Sequence, residues 1–286
     1  MPYAERRARF RQVLQGETCV HPGSVFDPIS ARIASDLGFE VGMFAGSVAS
    51  LTVLGAPDHI VLTLSEFAQQ IRRITRASGI PLMVDADHGY GNALNVMRTV
   101  EELCIAGVSG LSIEDTDLPP PFGAAKGQRL LSLEEGVGKM KAAMAAKPDP
   151  AMAVFGRTSA CAIAGVEEAV RRARAYCEAG VDAIFMVGVS TRAELEAIAA
   201  VVDRPLMLGG APGELADRDY LAAHGVRIAL QGHAPIMAAV QATYDTLKAL
   251  RDGTAPKDLK GVADGALMAR VTRAADYDDW MGRFLA

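Results

Sequence analysis

Short apolar runs alternate with amphipathic stretches along nearly the whole chain, and this alternation limits the available folds more than any single motif. The runs lie near residues 19, 41, 82, 110, 152, 183, 206 and 226, each followed by a helix or a helix-bearing segment. Alternation of this kind implies right-handed crossovers and parallel strands. Eight units fit a closed (β/α)8 barrel of the TIM type better than an open sheet, and no GxGxxG follows the first run to favour a dinucleotide-binding fold. Such a barrel often occupies roughly 250 residues as one domain. The 286 residues, 50% of them hydrophobic, therefore need no division into two cores.

Taken in order, a charged helix is expected over Tyr3 to Gln15, a strand at Cys19-Val20-His21 and a helix over Asp27 to Gly38. The strand Val41 to Phe44 runs into Ala45-Gly46-Ser47-Val48-Ala49-Ser50, small residues that let backbone N–H groups approach a ligand or simply make a tight turn. Leu51 to Leu64 reads as a longer connection holding Pro57, Asp58 and His59. Helices follow from Ser65, over Asn92 to Ala106, Leu133 to Ala145, Val166 to Ala179, Arg192 to Val201 and Ala216 to His224, with a last long one after His233. The loop Thr116 to Arg129, with Pro119-Pro120-Pro121, suits a lid or rim.

Beyond Arg251 the pattern breaks at Asp252-Gly253-Thr254-Ala255-Pro256. The expected organisation is a barrel over 1–251 and a helical tail over 252–286. The tail carries Tyr277, Trp280, Met281 and Phe284, an apolar set that either docks on a partner subunit or packs back on the same barrel.

The net charge is −5 with basic residues scattered, which argues against a nucleic-acid footprint. No apolar run reaches the roughly 18 residues a membrane span needs, and the basic start is not followed by the apolar stretch of a signal peptide. Cys19, Cys104, Cys161 and Cys177 are widely spaced, so reduced thiols in a cytoplasmic protein are expected rather than a disulfide frame or zinc knuckle.

Charge recurs where strands end. Pro81-Leu82-Met83-Val84 runs into Asp85-Ala86-Asp87-His88-Gly89, Ser112-Ile113 into Glu114-Asp115, and Ala153-Val154-Phe155 into Gly156-Arg157. One such acid would be a turn residue; three charged strand ends in a parallel barrel indicate a common site, because ligands bind at the carboxyl ends of the strands. Asp85, Asp87 and Glu114 form an oxygen-rich set suited to Mg2+ that keeps several of its waters. His88 is a weaker candidate ligand, since an acid-and-water shell favours Mg2+ over zinc. Arg157 suits a substrate carboxylate, structural neutralisation of Glu114, or both. His233 follows the eighth run, which in a barrel lies beside the first.

Gly46-Ser47, Asp58, Asp85-Ala86-Asp87-His88-Gly89-Tyr90-Gly91-Asn92, Ile113-Glu114-Asp115 and Gly156-Arg157-Thr158 resemble, in order and spacing, the isocitrate lyase/phosphoenolpyruvate mutase superfamily. Within it, Ser24 to Pro28, Gly46 to Leu51, Asp87 to Val100 and Gly232-His233-Ala234 look most like the bacterial oxaloacetate decarboxylases. The resemblance implies Mg2+-dependent decarboxylation of oxaloacetate to pyruvate and CO2 through a metal-stabilised enolate, with Mn2+ a substitute ion. It implies that Asp85 binds the ion directly, that Asp58, Asp87 and Glu114 act through metal-bound waters, and that Ser47, Arg157 and His233 contact the substrate, Arg157 and His233 catalytically. It also implies a homotetramer, a dimer of dimers, acting on a small 2-keto dicarboxylate, without nucleic acid or membrane.

Lyases of the superfamily that cleave isocitrate carry a Cys-bearing loop after the fourth strand. Here that loop reads Pro121-Phe122-Gly123-Ala124-Ala125-Lys126-Gly127-Gln128-Arg129, without Cys and without the polar gate of the mutases and phosphonopyruvate hydrolases. The chain also has Ser159 where such decarboxylases often have Asn, and its Gly209-Gly210-Ala211-Pro212-Gly213 turn lacks a Tyr. The remaining alternatives are a C–C bond lyase or hydrolase on a related substituted malate or oxaloacetate, and a non-catalytic dicarboxylate-binding barrel.

Overall fold

The computed structural model describes residues 3–123 and 127–286; residues 124–126, within the loop expected over Thr116 to Arg129, lie outside the described residues. The chain forms one eight-stranded sheet whose spatial order follows the sequence, with every adjacent pair parallel. The strands are β1 Gly23–Ser24, β2 Gly42–Phe44, β3 Leu82–Asp85, β4 Gly110–Glu114, β5 Ala153–Thr158, β6 Ala183–Met186, β7 Leu206–Leu208 and β8 Val226–Ala229. Closure comes from Val20, whose N–H donates to the Arg227 carbonyl at 2.9 Å and whose carbonyl accepts from Ala229 N–H at 3.0 Å. Strands β3, β4 and β6 are buried at every position, as parallel strands covered on both faces must be.

The helices are α1 Ala4–Gln15, α2 Pro28–Asp36, α3 Gly46–Ala49, α4 Leu64–Ala77, α5 Ala93–Ala106, α6 Leu133–Ala145, α7 Ala160–Ala164, α8 Val166–Glu178, α9 Arg192–Ala199, α10 Arg218–Ala223, α11 Ala234–Arg251, α12 Gly265–Thr272 and α13 Ala274–Phe284. Several begin at reciprocal caps. Asp27 with Ser30, Thr63 with Glu66, Asn92 with Asn95 and Thr191 with Glu194 each satisfy free N–H groups of the first turn. Asp27, Asn92 and Thr191 start their helices a few residues after a strand, whereas Thr63 ends the long connection from β2. At the opposite mouth α1 is fastened by buried Arg7, which donates to the Val108 and Cys104 carbonyls at 3.0 and 2.7 Å and to Asp149 at 2.5 Å.

One expectation needs correction, and two other elements show detail beyond what was expected. The first strand pairs at Gly23–Ser24, not Cys19–His21, where Val20 makes only the closing bridge; Pro22 has no N–H to give, so the ladder restarts after it. The small residues after β2, expected to approach a ligand or make a tight turn, are helical, α3 continuing as a π-helical turn over Ser50–Leu54. The long helix α11 buries only Ile236 and leaves Met237, Val240, Tyr244 and Leu247 exposed.

The tail divides. Val271 of α12 is buried, its carbonyl accepts from Arg32 at 3.1 Å, and Arg273 grips Asp36 of α2 through two bonds of 2.8 and 2.6 Å. Helix α13 buries nothing, and Tyr277, Trp280, Met281 and Phe284 are all exposed.

Candidate active site

Register brings the charged residues together. Asp85 at the end of β3 stands opposite Ser112 of β4, and Glu114 at the end of β4 stands opposite Arg157 of β5. Side chains two apart on a strand share a face, so Ser112 and Glu114 point inward together while Asp115 points away. Ser112 Oγ donates to Asp85 Oδ1 at 2.9 Å, and Thr116 Oγ1 donates to Glu114 Oε2 at 3.0 Å. Arg157 donates to Asp85 Oδ2 through Nη1 and lies 3.3 Å from Glu114 Oε2 through Nη2. The neutralising task expected of Arg157 is visible, since it pairs with both acids, and its side chain also lines the pocket.

That pocket has a volume of about 340 Å³ and opens at the carboxyl ends of the strands. Ser47, Asp58, Asp85, Asp87, Glu114, Arg157 and His233 all line it. Leu118, Pro120 and Gln128 supply part of its rim, and Met43, Ile60, Phe185, Val187 and Leu230 its apolar walls. His88 is absent from the lining; it is buried at 4% exposure with Nδ1 unpartnered, and burial, then Lys139, lower its pKa to about 4. The weak candidacy of His88 as a ligand is therefore dropped. Ser159 is buried outside the lining, whereas Gly209, in the turn without Tyr, borders the pocket.

Electrostatics set the tone of the site. Burial pushes the Asp87 carboxyl well above the ordinary range, and Asp85 and Glu114 push it further. Glu114 is raised chiefly by burial, against the opposing pull of Arg157. Asp58, at the exposed edge, is raised by partial burial and by Asp85. Burial opposes the charge on Arg157, but Asp85 and Glu114 outweigh it and its pKa is raised. Burial lowers His233, whose Nδ1 lies 2.9 Å from Ser24 Oγ.

Four carboxyls face one guanidinium here, a surplus of negative charge that suits a divalent cation. The donor set is all oxygen, which fits Mg2+. Among the described residues, no three His, Cys, Asp or Glu side chains converge closely enough to grip one ion together. Asp85 already accepts from Ser112, Arg157 and the Asp87 N–H, and a carboxylate offers about four acceptor positions.

Sequence reasoning gave no role to Ser24, Ser112 or Thr116, the hydroxyls that orient His233, Asp85 and Glu114. Ser112 and Thr116 were findable, because each is two residues from Glu114 and so on its face of the strand.

The fold and this pocket define an α/β-barrel enzyme with its polar site at the carboxyl ends of the strands. The profile of the phosphoenolpyruvate phosphomutase family matches residues 10–251, and the chain belongs to that family. An oxaloacetate decarboxylase of Bradyrhizobium diazoefficiens is 60% identical over 276 residues, 96% of each chain. Among solved structures, an oxaloacetate acetylhydrolase in complex with the inhibitor 3,3-difluorooxalacetate superposes with a TM-score of 0.85 at 27% identity, covering 98% of this chain and 97% of that one. A phosphonopyruvate hydrolase complex with oxalate and Mg2+ gives 0.84 at 29% identity, covering 98% and 99%.

Proposed function

We propose that this protein decarboxylates oxaloacetate to pyruvate and CO2 at the pocket described above, with Mg2+ as its cofactor. The observation that carries the reading is the placement of Arg157 between Asp85 and Glu114 in a small pocket with one charged side and one apolar side. The family membership and the 60% identical decarboxylase support it.

Asp85 would hold the ion directly, and Asp58, Asp87 and Glu114 would reach it through water. When bound, the ion supplies a Lewis acid for the keto oxygen, where negative charge builds as the β-carboxylate departs. Arg157 takes a substrate carboxylate and fixes its orientation, while Ser47 and its neighbouring amides at the start of α3 face the developing oxyanion. His233, held by Ser24, faces the departing group and relays a proton from solvent to carbon. Leu118, Pro120, Val187 and Leu230 shield the scissile carboxylate from water, which favours its loss as uncharged CO2. Steady-state release of pyruvate from oxaloacetate, set against a panel of 2-substituted malates with and without chelator, tests the substrate and the ion together. Turnover of a malate but not of oxaloacetate would replace the reading with that of a C–C lyase.

The protein acts as a homo-oligomer in the cytoplasm, with 252–286 as an assembly tail outside the 1–251 barrel. Support comes from the exposed row Met237, Val240, Tyr244 and Leu247, spaced at helical intervals on α11, and from Tyr277, Trp280 and Phe284 on α13. The four cysteines are free, and among the described residues no helix is long and apolar enough to cross a membrane. Sedimentation equilibrium of the whole chain and of one carrying Met237→Glu and Leu247→Glu tests the assembly; a wild-type monomer would refute it.

A further inference from the structure

Arg172, on the buried face of α8, lines no part of the catalytic pocket and is only 4% exposed. Its three donor groups are all used. Nη1 donates to Asp115 Oδ2 at 2.8 Å, Nη2 to the Leu131 carbonyl at 2.8 Å, and Nε to Glu168 Oε1 at 2.7 Å. Asp115 and Leu131 are the two ends of the segment that carries Leu118, Pro120 and Gln128 to the pocket. One planar guanidinium therefore holds both feet of the loop from separate nitrogens, a fixed spread of donors that a single ammonium nitrogen lacks.

The feet are also joined to each other. Leu131 N–H donates to the Asp115 carbonyl at 2.8 Å, and Asp117 N–H to the Arg129 carbonyl at 2.8 Å. Tyr176 donates to the same Asp115 oxygen at 2.5 Å, over Gly136, where any Cβ would collide with the phenol oxygen. On the other side of the strand, Glu114 and Thr116 flank Asp115 and share a hydrogen bond inside the site.

We propose that Arg172 is a positioning residue that pins both ends of the 115–131 loop. It thereby fixes Glu114 and the Leu118, Pro120 and Gln128 rim, and sets substrate affinity without touching substrate. A long loop released from one foot samples many arrangements, and apparent affinity falls with the fraction that remains competent. The kinetic part of the claim rests on the oxaloacetate reading above; the structural part does not.

Arg172→Lys keeps the charge beside Asp115 and loses the second grip. It is expected to speed trypsin cleavage between residues 117 and 131 about tenfold and to raise KM for oxaloacetate by about the same factor with little change in kcat. Tyr176→Phe, which leaves the grip on Leu131 intact, should leave both near wild type. Wild-type cleavage and KM in folded Arg172→Lys would overturn the proposal, as would an equal effect from Tyr176→Phe. Should Arg172→Lys not fold, hydrogen exchange in the ligand-free wild type decides. Amides of Asp117 and Leu131 protected like those of β4 uphold the clamp, and free exchange there overturns it. Cleavage and exchange need no turnover, so a wild type that releases no pyruvate would end the functional reading and leave the clamp separately decided.

Discussion

The carboxylate of Asp87 lies against the Cα of Gly46, in the space that the Cβ of any larger residue would need. Gly46 opens α3 with ordinary helical geometry, so it is required here for room rather than for an unusual backbone angle. Gly46→Ala therefore separates two effects. Alanine is favoured over glycine within a helix by about 1 kcal/mol, so the fold should hold, while Asp87 must move off its place. A displacement of this size near the reacting atoms lowers rates by about 10²-fold. The check is kcat/KM alongside the thermal midpoint: lost activity with a retained midpoint is expected.

Ser24 should matter through His233. Removing the hydroxyl in Ser24→Ala deletes one hydrogen bond of 2.9 Å, worth about 1 kcal/mol, and about a fivefold fall in kcat is expected. His233→Gln should lower kcat much further, by about 10²-fold or more if it delivers the proton. The double variant should be no worse than His233→Gln alone, because the serine acts only by holding the imidazole. Additive losses would separate the two roles.

His88 should make the protein sensitive to mild acid. Its folded pKa of about 4 lies below the ordinary 6.5, because burial and Lys139 disfavour the imidazolium. The unfolded chain then takes up a proton below pH 6.5 that the folded chain cannot. The stabilisation is complete above pH 6.5 and is lost as pH falls toward 4, by at most about 3 kcal/mol from this group. Urea midpoints measured from pH 7.5 to 4.5 should fall less steeply in His88→Gln than in wild type; parallel curves would count against the assignment.

Strand alternation made the barrel legible, and acids at strand ends marked the mouth. Those signals are local, and each needs only the residues of one unit. What stayed hidden depends on contacts across units. The pairing of Ser24 with His233 joins residues 209 positions apart, and nothing near Ser24 announces it. The first strand was misplaced because Cys19-Val20-His21 is apolar enough to pair, while the ladder itself forms at a glycine and a serine of low strand propensity, Gly23 and Ser24, held by their neighbours. His88 was only a weak candidate ligand, and the left-handed backbone at Asp87, φ 48°, accompanies side chains of Asp87 and His88 that face different surroundings. The last long helix was legible after His233, but that its apolar residues lie outside shows only in the folded chain.

Stripping the cation should destabilise the protein more than it alters its shape. Asp87 and Glu114 are both raised by burial and by other carboxyls, so the bare site opposes its own charge. At a cation concentration a hundred times its Kd, binding to the folded state contributes about 2.7 kcal/mol. Calorimetry should show a higher midpoint with Mg2+ than with EDTA in wild type and no such difference in Asp85→Ala. Equal shifts in both proteins would place the ion elsewhere.

The most direct measurement is carbon-13 NMR of labelled oxaloacetate incubated with purified protein and Mg2+, beside Asp85→Ala at the same metal concentration to remove the background reaction of free ion. Pyruvate and CO2 from the wild type alone are the expected result. Oxalate and acetate, or pyruvate formed equally fast by Asp85→Ala, would contradict it.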